Sequence, residues 1–563
     1  MVRIRPLRSG LLLVVALALG IGAPFATPTA QAAATTTPIT VTATSPSSSS
    51  LKVTWTAPTG VDVATWAIFP KDSSGRSWPT TFACKGCRSA TVDGLVAGMR
   101  YDLSVVGYAA TTTAVGNAAA TVQVGNCSGV LGTCVSIGST KTTAVTHVGQ
   151  GLLHGTTVMS DLAKAAALNP QSWRLAAGDM TRFQKARQVG GAITVLMSDP
   201  WRGWADRNGL VGKNPWADWD KYRQFIVGTV QFHIATGNVP EYWEIQNEPD
   251  YATQYTSDQP ATRALILEQL KVAHDAIRSV LPDARIVAPS LAQYRFNEPT
   301  ALVDLMSVLD HAKANGLRYD LAWHEIGNSQ PGTLAGDPKS IVAHVQSIRA
   351  AIADRGLTDV RIHINEYGAA WNFDQPGSRV GYLTALETAG ANVAGMACWP
   401  VVKDGISYDT CFSDPGLLDG LISPLGTETD TYAVHKAYAA MTGSRLQTSA
   451  TDVWTSGLST IDSTGKLRAL VGRHQSCTLA VDQGCHAGLA VAPLGKPVTL
   501  ALKVPCTNRY DLQVQLIANV HNSGPAVPVT VSNTYNVRCG TTQKVLLPAL
   551  TDGSAYSVVS TPR

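Results

Sequence analysis

The chain has 563 residues, enough for three or four domains at roughly 100–200 residues each. Hydrophobic residues make up 45% of it and charged residues 15%, which excludes a mostly disordered polymer and allows large cores. The net charge of +4 is too small for the electrostatic footprint of a nucleic-acid binder, and it does not call for an acidic substrate.

Residues 1–32 read as a secretory signal peptide. Arg3, Arg5 and Arg8 form the positive region, Leu11 to Ile21 the apolar core, and Ala30-Gln31-Ala32 a small-x-small cleavage site. The apolar core is too short to cross ~30 Å of hydrocarbon, and no later stretch is long enough, so no membrane span is expected. Cleavage after Ala32 would remove the three arginines, bring the charge near +1 and yield a secreted, extracellular protein. Residues 33–38, rich in Thr and Ala, read as a flexible lead-in.

The ten cysteines fall mostly into near neighbours: Cys84 with Cys87, Cys127 with Cys134, Cys398 with Cys411, and Cys477 with Cys485. Cys506 and Cys539 are left over. An exported chain meets an oxidising environment, so five local disulfides are expected, with the connectivity open. The rival reading of Cys84-Lys85-Gly86-Cys87 is a redox motif or half a zinc site, but no second CxxC or His pair completes a zinc set.

Residues 37–125 read as short strands with turn residues between them, the pattern of a β-sandwich. Leu51 to Trp55 alternates and stops at Pro58; Trp66 to Phe69 and Tyr101 to Val105 are later strands. With Trp55 in its second strand and Leu95-Val96-Ala97-Gly98-Met99-Arg100-Tyr101 at a corner, this stretch resembles a fibronectin type III domain. The resemblance implies a spacer or a weak carbohydrate contact.

Residues 127–443 change pattern: short apolar strands alternate with helix-length amphipathic stretches. The expected strands are Ala144–Val148, Ser172–Leu175, Ala192–Met197, Tyr242–Gln246, Arg285–Ala288, Leu321–His324, Arg361–Ile364 and Gly395–Trp399. Helices are clearest over Ala261–Val280 and Lys339–Asp354. Eight such units fit a (β/α)8 TIM barrel. An open doubly wound sheet would want a glycine-rich phosphate turn after a strand, and none is convincing. In residues 446–563 strands return, as at Leu467–Val471, Val498–Val504, Leu512–Val520 and Val527–Val531. This second β-sandwich follows with so little linker that it is expected to pack on the barrel.

A barrel of this kind works at the C-terminal ends of its strands. Strand four runs into Trp243-Glu244-Ile245-Gln246-Asn247-Glu248-Pro249-Asp250, and strand seven into Ile362-His363-Ile364-Asn365-Glu366-Tyr367-Gly368. Each places a glutamate at the mouth, and strands four and seven lie on roughly opposite sides of an eight-membered ring. Glycoside hydrolysis needs such a pair: one protonated carboxyl for the leaving oxygen, and one carboxylate to attack the anomeric carbon or activate water.

Asn247-Glu248-Pro249 after strand four, with Glu366 after strand seven, resembles glycoside hydrolase clan A, the retaining (β/α)8-barrel glycosidases. The resemblance implies Glu248 as acid/base, Glu366 as nucleophile and Asn247 as a ligand of the sugar hydroxyl beside the anomeric carbon. Within the clan, the chain is most similar to glycoside hydrolase family 39, which includes β-xylosidases. That likeness rests on Trp243 to Asp250, on Ile286-Val287-Ala288-Pro289-Ser290 as strand five, and on Tyr319-Asp320-Leu321-Ala322-Trp323-His324 as strand six. Two departures touch sugar specificity: Ile326 stands where relatives have a Tyr after the strand-six His, and Asn365 and Tyr367 flank the nucleophile where relatives carry Thr and Trp or Phe.

By the same resemblance, Arg174 in strand two is a candidate neighbour of the nucleophile, able to keep it charged. His324 is a candidate contact of sugar or carboxylate, and Trp399 a candidate stacking platform at the end of strand eight. The alternative for Arg174 is a surface ion pair. For Trp201 and Trp204 after strand three packing is as good a reading, and His147, Gln150 and His154 read as structural. Glu244, Glu325 and Asp250 are the rival carboxylates, with Glu244 expected to line the barrel interior.

The expected function is a secreted retaining glycoside hydrolase acting on a carbohydrate substrate, xylosidase- or arabinosidase-like, with no cofactor and no metal. The alternative is a non-catalytic carbohydrate-binding protein on the same scaffold. A lyase or metal hydrolase would want a cation site or His ligands at strand ends. Sugar, linkage and oligomeric state stay open at this point.

Overall fold

The computed structural model describes residues 35–109, 112–153, 162–197, 214–250, 259–298, 300–326, 338–368, 373–398, 401–403, 406–408, 417–474, 497–503, 509–520, 529–538, 540–549 and 553–563. The signal peptide, His154, Trp201, Trp204, Trp399, Cys411, Cys477, Cys485, Cys506 and Cys539 lie outside them.

The N-terminal segment is two sheets, one of five strands and one of three. Alternation builds it: Leu51, Val53 and Trp55 of Ser50–Trp55 and Tyr101, Leu103 and Val105 of Arg100–Tyr108 point into one core. The Tyr101 hydroxyl accepts from the Val96 backbone N–H at 3.1 Å, tying the corner ahead of its strand. The segment docks sideways on the rest of the chain. Phe82 stacks on Phe296 of the barrel with centroids 4.2 Å apart, and Val453 and Trp454, in the turn between strands Ser444–Ala450 and Thr455–Ile461, complete the N-terminal core.

The middle of the chain is a closed parallel barrel of eight strands in sequence order. The strands are Gly151–Leu152, Ser172–Ala176, Ala192–Leu196, Tyr242–Glu244, Arg285–Leu291, Asp320–Glu325, Ile362–Tyr367 and Val393–Met396. Covered by helices outside and filled within, they are buried nearly end to end, which is why they read as apolar runs rather than alternating ones. Helices Gln259–Val280 and Ser340–Asp354 fall where their periodicity places them. Closure pairs Leu152 with Met396, and the Ser172 hydroxyl donates to the Ala394 carbonyl at 3.0 Å.

The first strand differs from the sequence reading. Ala144–Val148 does not open the barrel; Thr133–Ala144 is a strand of the C-terminal sheet, and the barrel begins at Gly151. The cause is physical: Thr133–Ala144 is buried at its start and exposed at its polar end, whereas strand one has two residues and no period to detect. The C-terminal sheet is a nine-stranded ladder including Thr133–Ala144, and strands from both its ends share one core. It packs on the barrel as expected: Val380 and Leu383 of helix Pro376–Ala389 meet Leu458, Leu470, Ile517 and Ala555. Gly472 permits this approach, since a Cβ there would lie 2.6 Å from that of Val380.

Disulfides join Cys84 to Cys87 and Cys127 to Cys134; Cys398 is also bonded, and no described cysteine is free. Among the described residues, no helix is long and apolar enough to cross a membrane.

Candidate active site

Arg174 of strand two is the hub. Its Nε and Nη2 donate to the two oxygens of Glu244 at 2.6 Å each, a bidentate fork. Strands two and four are not neighbours, so the two side chains meet through the barrel interior. Nη1 donates to Glu366 Oε1 at 2.7 Å, and Nη2 also reaches Asn247 Oδ1 at 2.6 Å. Arg174 thereby occupies the Asn247 carbonyl and leaves its amide N–H groups for a ligand.

Glu244 is fully buried. Burial alone would raise its carboxyl, but the charge and hydrogen bonds of Arg174 and the Ser290 hydroxyl outweigh it and hold Glu244 below the ordinary carboxylate value. The same carboxylates drive the Arg174 guanidinium up against the opposing effect of burial. Ser290 also accepts from Asn365 Nδ2 at 2.9 Å, so polar contacts run unbroken from Asn365 through Ser290 and Glu244 to Arg174.

Glu248 leaves strand four with φ 48°, in the left-handed region that side chains rarely adopt. Its N–H donates to the Ser290 carbonyl at 2.9 Å, which holds the turn. Such strain costs on the order of 1 kcal/mol and is characteristic of functional positions. The turn delivers the carboxylate to His324 at the end of strand six: His324 Nδ1 lies 3.0 Å from Glu248 Oε1 and 3.7 Å from Glu366 Oε2. One oxygen of Glu248, one of Glu366 and a ring nitrogen of His324 all lie within 4.8 Å of one another.

His324 has no exposed side-chain surface. Burial would lower its pKa, but the Glu366 charge and the Glu248 hydrogen bond and charge outweigh that and raise it. Burial would likewise raise Glu248, and the His324 hydrogen bond and charge instead lower it. Both shifts favour the same charged pair, a His324 imidazolium beside a Glu248 carboxylate. By distance alone Glu248, His324 and Glu366 could ligate a divalent ion. Arg174, already 2.7 Å from Glu366, sets a fixed positive charge against one.

The structure therefore brings together five of the sequence candidates, Arg174, Asn247, Glu248, His324 and Glu366. Glu325 faces outward, where its Oε1 accepts from Trp323 Nε1 at 2.6 Å and contacts His344 Nδ1 at 2.7 Å. Asp250 is bound by the Ala292 N–H and by Arg295. His147 contacts backbone carbonyls of Tyr438 and Met441, and Gln150 contacts His435, so both are structural. Sequence reasoning missed Ser290 and Asn365 and gave Glu244 no partner; its one signal was a charge inside an otherwise apolar strand.

No protein-family model matches the sequence, and no curated protein does. Solved structures do match in fold. N2152 from Neocallimastix frontalis is 19% identical with TM-score 0.61, over 77% of this chain and 100% of that one. A glucosidase from Croceicoccus marinus is 15% identical with TM-score 0.56, over 77% and 100%. A glycoside hydrolase family 39 enzyme from Xanthomonas axonopodis pv. citri is 15% identical with TM-score 0.50, over 76% and 97%. The expected architecture, a TIM barrel with flanking β-sandwich domains, is thus shared with solved glycosidases.

Proposed function

We propose that the chain is a secreted glycoside hydrolase that cleaves glycosidic bonds with retention, using Glu248 as acid/base and Glu366 as nucleophile. One observation carries the reading: the two carboxylates come from the ends of strands four and seven and bring an oxygen each within 4.8 Å. Retaining pairs stand about 5–5.5 Å apart, and inverting pairs are wider to seat a water. The glucosidase and the family 39 enzyme that share the fold favour the same chemistry, and the leader-like first 32 residues favour export.

Glu366 Oε2, the oxygen not held by Arg174, attacks the anomeric carbon. The glycosidic C–O bond breaks, and its electron pair leaves on the oxygen, which takes a proton from Glu248. Water then bonds the anomeric carbon, gives its proton to Glu248, and the ester pair returns to Glu366. The lowered pKa of Glu248 in the free site conflicts with an acid role only if the site stays wet. A bound sugar excludes water, and loss of water favours the neutral carboxylic acid–imidazole pair over the carboxylate–imidazolium pair. The proton between His324 and Glu248 then sits on the Glu248 carboxyl, which gives it to the leaving oxygen. The Asn247 amide is oriented to bind the neighbouring hydroxyl, a contact that strengthens toward the transition state.

The test is sugar release from xylosides, arabinosides, glucosides and galactosides, as aryl glycosides and polysaccharides. Glu366→Ala is expected to lower kcat/KM at least about 10³-fold, with the wild-type product keeping its anomeric configuration. Glu248→Ala should hit poor leaving groups far harder than 2,4-dinitrophenolate, which needs no proton. An inverted product would overturn the mechanism; binding without turnover by the wild type would favour the carbohydrate-binding alternative.

A further inference from the structure

We propose that Glu244 is a positioning residue that sets, through Arg174, how firmly Glu366 is held as an anion in each half-reaction. The inference rests on Glu366 being the nucleophile. Glu244 itself meets no substrate: it is fully buried, and both its oxygens are taken by the Arg174 fork. Arg174 carries a single positive charge and faces two carboxylates, Glu244 through two hydrogen bonds and Glu366 through one. The other charged groups around Glu366 are Glu248 and His324, so no second fixed cation supports it among the described residues.

The arrangement matters because the charge on Glu366 disappears and returns. When Glu366 forms the ester bond to the anomeric carbon, the departing oxygen takes the Glu248 proton, so the negative charge passes from Glu366 to Glu248. An Arg174 paired with Glu366 alone would then be a buried cation with no carboxylate in direct contact, a costly state. With Glu244 present, a balanced pair persists beneath the covalent intermediate. Glu244 also takes part of the guanidinium field away from Glu366, which leaves it a stronger nucleophile and a poorer leaving group. Both effects point the same way: Glu244 favours formation of the intermediate and slows its breakdown.

The two half-reactions can be read separately with 2,4-dinitrophenyl 2-deoxy-2-fluoro-β-xyloside and its gluco counterpart, which form the intermediate and release it slowly. In Glu244→Gln the inactivation rate should fall and the reactivation rate should rise, each on the order of tenfold. Glu244→Asp, which keeps the charge, should return both rates toward wild type. A merely structural role would slow both steps together, and that result would overturn the proposal. Should Glu244→Gln not fold, Ser290→Ala decides. It removes a hydroxyl donor from Glu244, leaves that carboxylate a larger claim on Arg174, and should move the rates the opposite way; unchanged rates would overturn the proposal. Failure of the wild type to be labelled at Glu366 would instead refute the assignment of the nucleophile.

Discussion

Asp320 at the foot of strand six couples protonation to stability away from the active site. Arg285 donates to both its oxygens at 2.7 and 2.9 Å, and the Arg361 N–H adds a third bond at 3.0 Å. Burial would raise its carboxyl, but His363, Arg285 and the Arg361 N–H outweigh it and bring the pKa down to about 2. A carboxyl depressed in the folded state contributes stability that is full above the unfolded value near 4 and is lost as pH falls toward 2. That contribution is about 2 kcal/mol. Asp320→Asn should therefore lower the thermal midpoint clearly at pH 6 and much less at pH 2.5. An equal deficit at both would mean that packing, not charge, is what Asp320 supplies. Glu248 and Glu366 were legible in the sequence for a simple reason: one lies shortly past the end of a buried strand and the other near the end of one, so chain position alone puts both at the mouth. The Arg174–Glu244 fork was not, because its partners lie 70 residues apart on non-adjacent strands and meet only once the barrel closes.

Among the elements, strand one is the weak closure. It has two residues, and Gly151 sits where an added Cβ would run into the Ala394 carbonyl and the Ser172 hydroxyl. Gly151→Ala should force strands one, two and eight apart and cost about 3 kcal/mol. Gly228, exposed on helix Trp219–Ala235 with open space around it, is the contrast: Gly228→Ala should stabilise by up to about 1 kcal/mol. Thermal unfolding of the two variants checks both signs, and a Gly151→Ala protein melting like wild type would remove the argument. The same closure explains where the sequence could be read. Strands two to eight are runs of apolar residues long enough to stand out, whereas Gly151–Leu152 is held by backbone fit with no pattern of its own. The barrel boundary at residue 127 was drawn too early because the pairing partners of Thr133–Ala144, Ser444–Ala450 and Pro497–Lys503, come 300 or more residues later.

At the scale of the molecule, the barrel is an insertion. The chain leaves the C-terminal sheet at Ala144, builds the barrel and returns at Ser444, and these two residues are directly paired. The barrel is thus a very long loop on two adjacent antiparallel strands. Tension applied between the ends of the chain would enter the sheet at Thr133–Ala144 and leave it at Ala555–Pro562. It would cross the strands Ser444–Ala450, Thr455–Ile461 and Leu467–Arg473 that lie between them. The barrel hangs off that line, its two ends clamped together, and carries no load until the Ala144–Ser444 pairing breaks. In single-molecule pulling from the termini, the barrel is expected to lengthen only after strand Thr133–Ala144 has been stripped from Ser444–Ala450. A barrel that yielded first would contradict this path. Held at one end and dragged at the other, the chain would keep the mouth of its barrel in shape while the sheet beside it bore the strain.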